Sequence, residues 1–204
     1  MEYIFGKSAT LGEFTGDSHI DYAIASRNSL IIFESDGDGT FSNPTAISVP
    51  DTAISLNSAD FNLDGRDDLA LGTKRGLKIY RQTGKQTFVP VATYPQDYGS
   101  VDLDITNSGS DFNSDGKFDL CIASPSVGGA KSKMMIYYGN GDGTFNQTEI
   151  REINGQILAT CVGDFNNDTE LDIAFVNGSS RYVGIIFGDG NGNFDSEIRY
   201  QSRI

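Results

Sequence analysis

The chain has no tryptophan, one histidine (His19), two cysteines and five prolines in 204 residues. A single imidazole leaves no register for a Ser-His or Cys-His pair, because each needs a base beside its nucleophile. Cys121 and Cys161 do not make a disulfide framework; in small strand positions both are expected to be buried and inert. Positive charge is also scarce. Fifteen Lys and Arg face 28 Asp and Glu, for a net charge of -13. This argues against nucleic acid as a partner, since that affinity rests on neutralising phosphates. No apolar run reaches the roughly 18 residues of a membrane-spanning helix, and the opening MEYIFGKSATLGEF lacks the apolar core of a secretory leader.

What the chain has instead is a recurring acidic segment. DFNLDGRDDL begins at Asp60, DFNSDGKFDL at Asp111 and DFNNDTELDI at Asp164, with a weaker copy, EFTGDSHIDY, at Glu13. The copies lie 47 to 53 residues apart, a period that signals an array of similar supersecondary units. A Gly-rich motif follows each copy and ends at Phe41, Phe88, Phe145 and Phe194. Eight of the 13 Phe residues fall in these two motifs, which reads them as repeat core rather than a ligand cage. Between the motifs lie short apolar runs such as YAIA, LALG, LCIA and IAFV, then LIIF, LKIY, MMIYY and VGIIF. They are β-branched, aromatic and bounded by Gly, Asn, Asp and Ser. No stretch sustains a helical period. The reading is all-β: four four-stranded antiparallel units at 5–50, 51–97, 98–153 and 154–204. Together they form one propeller domain or propeller segment over 1–204, with a solenoid as the competing arrangement.

Within the acidic segment, positions 1, 3, 5 and 9 carry oxygen. In the second repeat these are Asp60, Asn62, Asp64 and Asp68, with Gly65 at position 6 for a sharp turn and the Arg66 carbonyl at position 7. The third repeat offers Asp111, Asn113, Asp115, Lys117 (by its carbonyl) and Asp119; the fourth offers Asp164, Asn166, Asp168, Glu170 (by its carbonyl) and Asp172. Hard oxygen donors in this number suit Ca²⁺, and no soft ligand accompanies them. Asp67 is expected outside the shell and solvated. The competing reading is an ordinary Asx turn, since Asp, Asn and Gly favour turns in any case. An EF-hand shares the first half of the register, but it needs flanking helices. Thr169 stands for Gly in the fourth repeat and should resist positive φ; the Glu13 copy reads as degenerate.

The pattern D-F-N-x-D-G-x-x-D-[LI] followed by G-D-G-T-F resembles the FG-GAP or VCBS repeats of integrin α-subunit propellers and of many surface or secreted proteins. The resemblance covers all four repeats. It implies a β-propeller with calcium in the loop between the first two strands of each blade, and a role in recognising a protein or glycan.

Three functions are weighed. An enzyme needs a carboxylate cluster outside the 1-3-5-9 register, and the sequence offers none. A spacer predicts featureless, variable loops on the face opposite the metals. An interaction module needs chemically distinct ends, and alternating strand directions supply them. The metal loops and the turn acids Asp36, Asp38, Asp142 and Asp189 share one end. The connections between second and third strands carry Arg27, Lys74, Arg75, Lys131, Lys133 and Arg181 at the other. Lys74, Arg75, Lys131 and Arg181 are therefore candidates for an anion-favouring ligand face. The longest such connection is ASPSVGGAKSKM, and long loops on rigid scaffolds often carry function. The expectation is a non-enzymatic, calcium-stabilised, adhesion-like module, extracellular or at the cell surface. The alternative is a spacer or an appendage of a larger secreted enzyme. Open sheet ends favour closure, by four blades alone, by a second chain or by further blades of a longer one.

Overall fold

A computed structural model describes residues 6–42, 44–95, 104–124 and 131–201. The fold is a four-bladed β-propeller, and every element in the described residues is a strand. Blade 1 comprises β1 (Gly6–Gly12), β2 (Asp21–Ser26), β3 (Ser29–Phe33) and β4 (Thr45–Ser48). Blade 2 comprises β5 (Ala53–Ala59), β6 (Asp68–Thr73), β7 (Gly76–Gly84) and β8 (Thr87–Pro95). Blade 3 comprises β9 (Asp104–Ser110), β10 (Asp119–Ser124), β11 (Lys131–Gly139) and β12 (Phe145–Asn154). Blade 4 comprises β13 (Ile157–Gly163), β14 (Asp172–Asn177), β15 (Tyr182–Ile186) and β16 (Ile198–Gln201). Each sheet pairs its strands antiparallel in chain order, as the repeat pattern predicts.

Successive side chains on a strand point to opposite faces, so each blade has one face toward the blade before it and one toward the blade after it. The forward face of blade 2 presents Ala70, Leu77 and Ile79; the backward face of blade 3 meets it with Leu120, Ile122 and Tyr137. Ala23, Ala25, Leu30 and Ile32 of blade 1 meet Leu69, Leu71 and Tyr80 of blade 2 in the same way. Cys121, Ala123, Met134 and Ile136 of blade 3 meet Ile173, Phe175 and Ile186 of blade 4. Small residues on the forward face of each second strand leave room for the larger ones opposite, so adjacent sheets interdigitate. The inner strands β1, β5, β9 and β13 pack in that order. Among the described residues, blade 4 makes no comparable contact with blade 1.

The two motif phenylalanines staple neighbouring blades. Phe14 meets Phe88 at 5.8 Å, Phe61 meets Phe145 at 5.3 Å and Phe112 meets Phe194 at 5.7 Å, all edge to face. Beside each ring pair, the carbonyl of the first Phe accepts a backbone N–H from the next blade's turn: Gln86, Gly143 and Gly192. The expectation that all eight are core therefore fails at two, because Phe41 is 52% exposed and Phe165 45%. They lie on the outer faces of blades 1 and 4, where among the described residues no neighbouring blade covers them. The cysteines divide in the same way: Cys121 is buried under blade 4, whereas Cys161 is exposed on that blade's outer face.

Candidate metal loops and the opposite end

Each acidic segment connects the first and second strands of its blade. In the second repeat, the Asp64 N–H donates to both Asp60 Oδ1 (2.9 Å) and Asn62 Oδ1 (3.1 Å), so these two oxygens converge on one point. Gly65 N–H donates to Asp60 Oδ2 at 2.7 Å, and Arg66 N–H to Asp64 Oδ1 at 3.1 Å. The third repeat repeats this set with Asp111, Asn113 and Asp115, and the fourth with Asp164, Asn166 and Asp168. Carboxylates at positions 1 and 5 are thus turned onto loop amides, and among the described residues no three Asp, Glu, His or Cys side chains form a ready cluster. The donor set is nevertheless of the kind calcium takes: carboxylate, amide and carbonyl oxygens on a tight loop.

Position 6 adopts the left-handed region in all four repeats, at Ser18 (φ 68), Gly65 (87), Gly116 (80) and Thr169 (78). Thr169 therefore accepts the conformation its branched Cβ disfavours, held there by the hydrogen bonds of Asp164 and Asp168. Thr169→Gly is expected to raise stability by about 1 kcal/mol through relief of that strain, measured by urea unfolding; a loss would show that the Thr side chain itself supports the loop. Position 4 is also left-handed, at Gly16, Leu63, Ser114 and Asn167. Sequence reasoning missed this, because the four residue types share no preference.

Position 9 is unlike the others. Asp21, Asp68, Asp119 and Asp172 are all 0% exposed. Asp119 accepts N–H groups from Phe112 (2.9 Å) and Gly139 (2.8 Å), and so ties the loop to the end of the third strand. Asp172 does the same with Phe165 and Gly188, and Asp21 with Phe14 and Ser35. Asp68 takes only Gln82 N–H, at 2.9 Å; its Oδ2 is buried without a hydrogen-bond partner. A buried carboxylate oxygen left open beside Asp60 and Asp64 is what a cation in this loop would satisfy.

Burial pushes the Asp68 and Asp119 carboxyls up to about 6, against amide hydrogen bonds that lower them and the neighbouring loop carboxylates that raise them further. The folded state then holds protons that the unfolded chain has released. Stability from these two groups is present below pH 3.8 and lost as pH rises through about 6. In calcium-free buffer the urea midpoint is expected to fall between pH 4.5 and 7, and Asp68→Asn to flatten part of the slope; a rising midpoint would contradict this.

Position 7 differs between repeats. The Arg66 guanidinium lies 2.8 Å from Asp64 Oδ2, and Lys117 Nζ lies 3.0 Å from Asp115 Oδ2. Burial acts to raise the Asp115 carboxyl, but bonds from Lys117 outweigh it and hold it below the usual carboxylate range. Glu170 brings no such cation. In the degenerate copy, Glu13 Oε1 accepts the N–H groups of Thr15, Gly16 and Asp17, whereas Asp60 accepts those of Asp64 and Gly65, later in its loop. Asp67 is not solvated as expected: its Oδ2 accepts Glu13 N–H at 2.9 Å and joins the loops of blades 1 and 2.

At the opposite end, Lys74 and Arg75 sit exposed on the β6–β7 turn, and Arg75 Nε stands 4.0 Å from Asp51. Arg181 is exposed on the β14–β15 turn at φ 52. Lys131 is the first residue of β11 rather than part of a loop, and its Nζ pairs with Glu152 at 2.6 Å. Of the ASPSVGGAKSKM connection, residues 125–130 lie outside the described residues.

Fold and loops define a propeller whose blades each carry an oxygen-rich hairpin loop. The chain belongs to the FG-GAP-like repeat family, which matches residues 14–71 and 111–175. It is 28% identical over 184 residues to phosphatidylinositol-glycan-specific phospholipase D of Mus musculus, covering 71% of this chain and 22% of that protein. An Agrocybe aegerita lectin that recognises non-reducing terminal N-acetylglucosamine superposes with a TM-score of 0.65 at 21% identity, over 93% of this chain and 50% of the lectin. BBS1N, solved in complex with ARL6DN, superposes at 0.62 and 14% identity, over 100% of this chain and 59% of that one. The chain thus spans a minor part of the phospholipase, half of the lectin and 59% of BBS1N.

Proposed function

We propose that this chain is a calcium-stabilised, non-enzymatic interaction module that recognises a protein or glycan ligand in an extracellular or cell-surface setting. The observation that carries it is the thrice-repeated loop whose position 1 and 3 oxygens meet on the position 5 amide, with the buried open oxygen of Asp68 at position 9 of the second repeat. Asp60, Asn62, Asp64 and Asp68 would hold one ion, together with the Arg66 carbonyl; their counterparts in blades 3 and 4 would hold two more. A bound dication would offset the repulsion between loop carboxylates and fix the hairpin ends. The module's rigid frame then presents the opposite turns. Fold neighbours with a glycan and a protein partner support recognition as the use of such a frame.

The exposed cations Lys74, Arg75 and Arg181 favour an anionic group on the ligand, with Lys131 less available because Glu152 already pairs with it. A glycan array followed by a salt titration tests this. Retention of acidic glycans or carboxylate-bearing peptides is expected to fall with salt and on replacing Lys74 and Arg75 with Ala. Binding indifferent to both changes removes these residues from the ligand face. The phospholipase D relative favours a second reading, in which the module is an appendage of a larger secreted enzyme.

A further inference from the structure

The three internal interfaces define what a forward face receives. At each, the forward positions of the second and third strands are covered: Ala23, Ala70 and Cys121 are 0% exposed, as are Leu30, Leu77 and Met134. Register places Ala174, Val176, Val183 and Ile185 at the equivalent positions of blade 4. There Val176 is 42% exposed and Val183 38%. Together with Ala159 and Cys161 they line a shallow apolar groove of about 170 Å³. At the other end of the array, Tyr22, Ile24 and Phe33 of blade 1 occupy the places that Leu69, Leu71 and Tyr80 fill in blade 2, and they are only half-buried. Leu69, Leu71 and Tyr80 are covered, at 0%, 0% and 4%.

The staple between blades is divided the same way. Phe165 is the forward member and Phe41 the backward member, and neither meets a ring of a neighbouring blade among the described residues, Phe41 touching only Tyr22 of its own blade at 6.5 Å; both are exposed. Gly39 (φ 94) stands in the turn where Gly143 (φ 84) and Gly192 (φ 82) donate to the preceding blade's Phe carbonyl. Each end of the array therefore carries half of an interface already formed three times within the chain, and the two halves are complementary.

We propose that the forward face of blade 4 docks on the backward face of blade 1 of a second copy, head to tail. Phe165 then stacks on Phe41, and Val176 and Val183 cover Tyr22, Ile24 and Phe33. Two copies related by a twofold axis use both ends of each and leave neither apolar face open, since a head-to-tail contact that closes gives a ring. The interface is continuous in kind with the packing between blades 1 and 2, 2 and 3, and 3 and 4.

The test is the solution mass of the 204-residue chain in calcium, by size exclusion with light scattering. The expected mass is twice 22.0 kDa. Val176→Glu at one end, and Phe41→Glu at the other, should each abolish the dimer across the accessible concentration range while keeping the parent's circular dichroism. Mixing the two variants should restore a dimer, because each retains the end the other has lost; a variant that merely misfolds cannot do this. A monomeric parent, a dimer that survives both substitutions, or a mixture that stays monomeric overturns the proposal. A ladder of larger masses overturns the closed pair. A monomer that still binds calcium defeats this inference and leaves the proposed function standing.

Discussion

Phe61→Ala is expected to destabilise the chain by about 3–5 kcal/mol, the cost of truncating a buried aromatic, whereas Phe165→Ala should cost under about 0.5 kcal/mol in the dissociated chain. The two residues hold the same place in the repeat. Phe61 is 2% exposed, packs edge-on against Phe145 at 5.3 Å and lies in the core between blades 2 and 3. Phe165 is 45% exposed. Urea denaturation of both variants at low protein concentration measures the difference. Similar losses would mean that Phe165 has a covered partner within its own chain.

The second large effect separates two carboxylates four positions apart. Asp119→Ala leaves the buried N–H groups of Phe112 and Gly139 without an acceptor, at about 1–3 kcal/mol each. Relief of a buried charge offsets part of that, for a net loss of about 2–3 kcal/mol. The loss should persist in calcium-free buffer, because amides rather than a metal create it. Asp115 is about one-third exposed on its side chain and receives Lys117; Asp115→Ala should cost stability chiefly in calcium, and little once calcium is removed. The reverse pattern would make position 9 purely a ligand and position 5 the structural anchor.

Much of this fold is legible in the chain because it is written four times. Short apolar runs, β-branched and aromatic and bounded by turn residues, mark the strands, and a repeat near 50 residues marks the blades. The spacing of the loop brings the position 1 and 3 oxygens onto one amide in three repeats, whereas the position 5 carboxylate turns to the position 7 N–H. The misses have a common cause, in that repeat logic treats all copies as alike. It buries Phe41 and Phe165 along with their six counterparts, although among the described residues no neighbouring blade covers these faces of blades 1 and 4. It makes Asp67 a solvated charge, since only the three-dimensional neighbour, Glu13 N–H, reveals its use. It does not reveal that the position 9 carboxylate is fully buried and, in three of the four repeats, ties the loop to the end of the third strand. Lys131 reads as a loop cation because strand β11 starts earlier than its apolar run, MMIYY.

Thermal unfolding of the parent chain, with saturating calcium and in calcium-free buffer, tests the calcium assignment most directly. Binding to the folded state alone adds RT ln(1 + [Ca²⁺]/Kd), roughly 2.7 kcal/mol per site at a hundredfold excess over Kd. In a domain of this size each kcal/mol moves the midpoint by about 2–4 °C, so even one occupied loop is expected to raise it by about 5–10 °C. Equal midpoints in the two buffers would contradict the assignment of these loops to calcium.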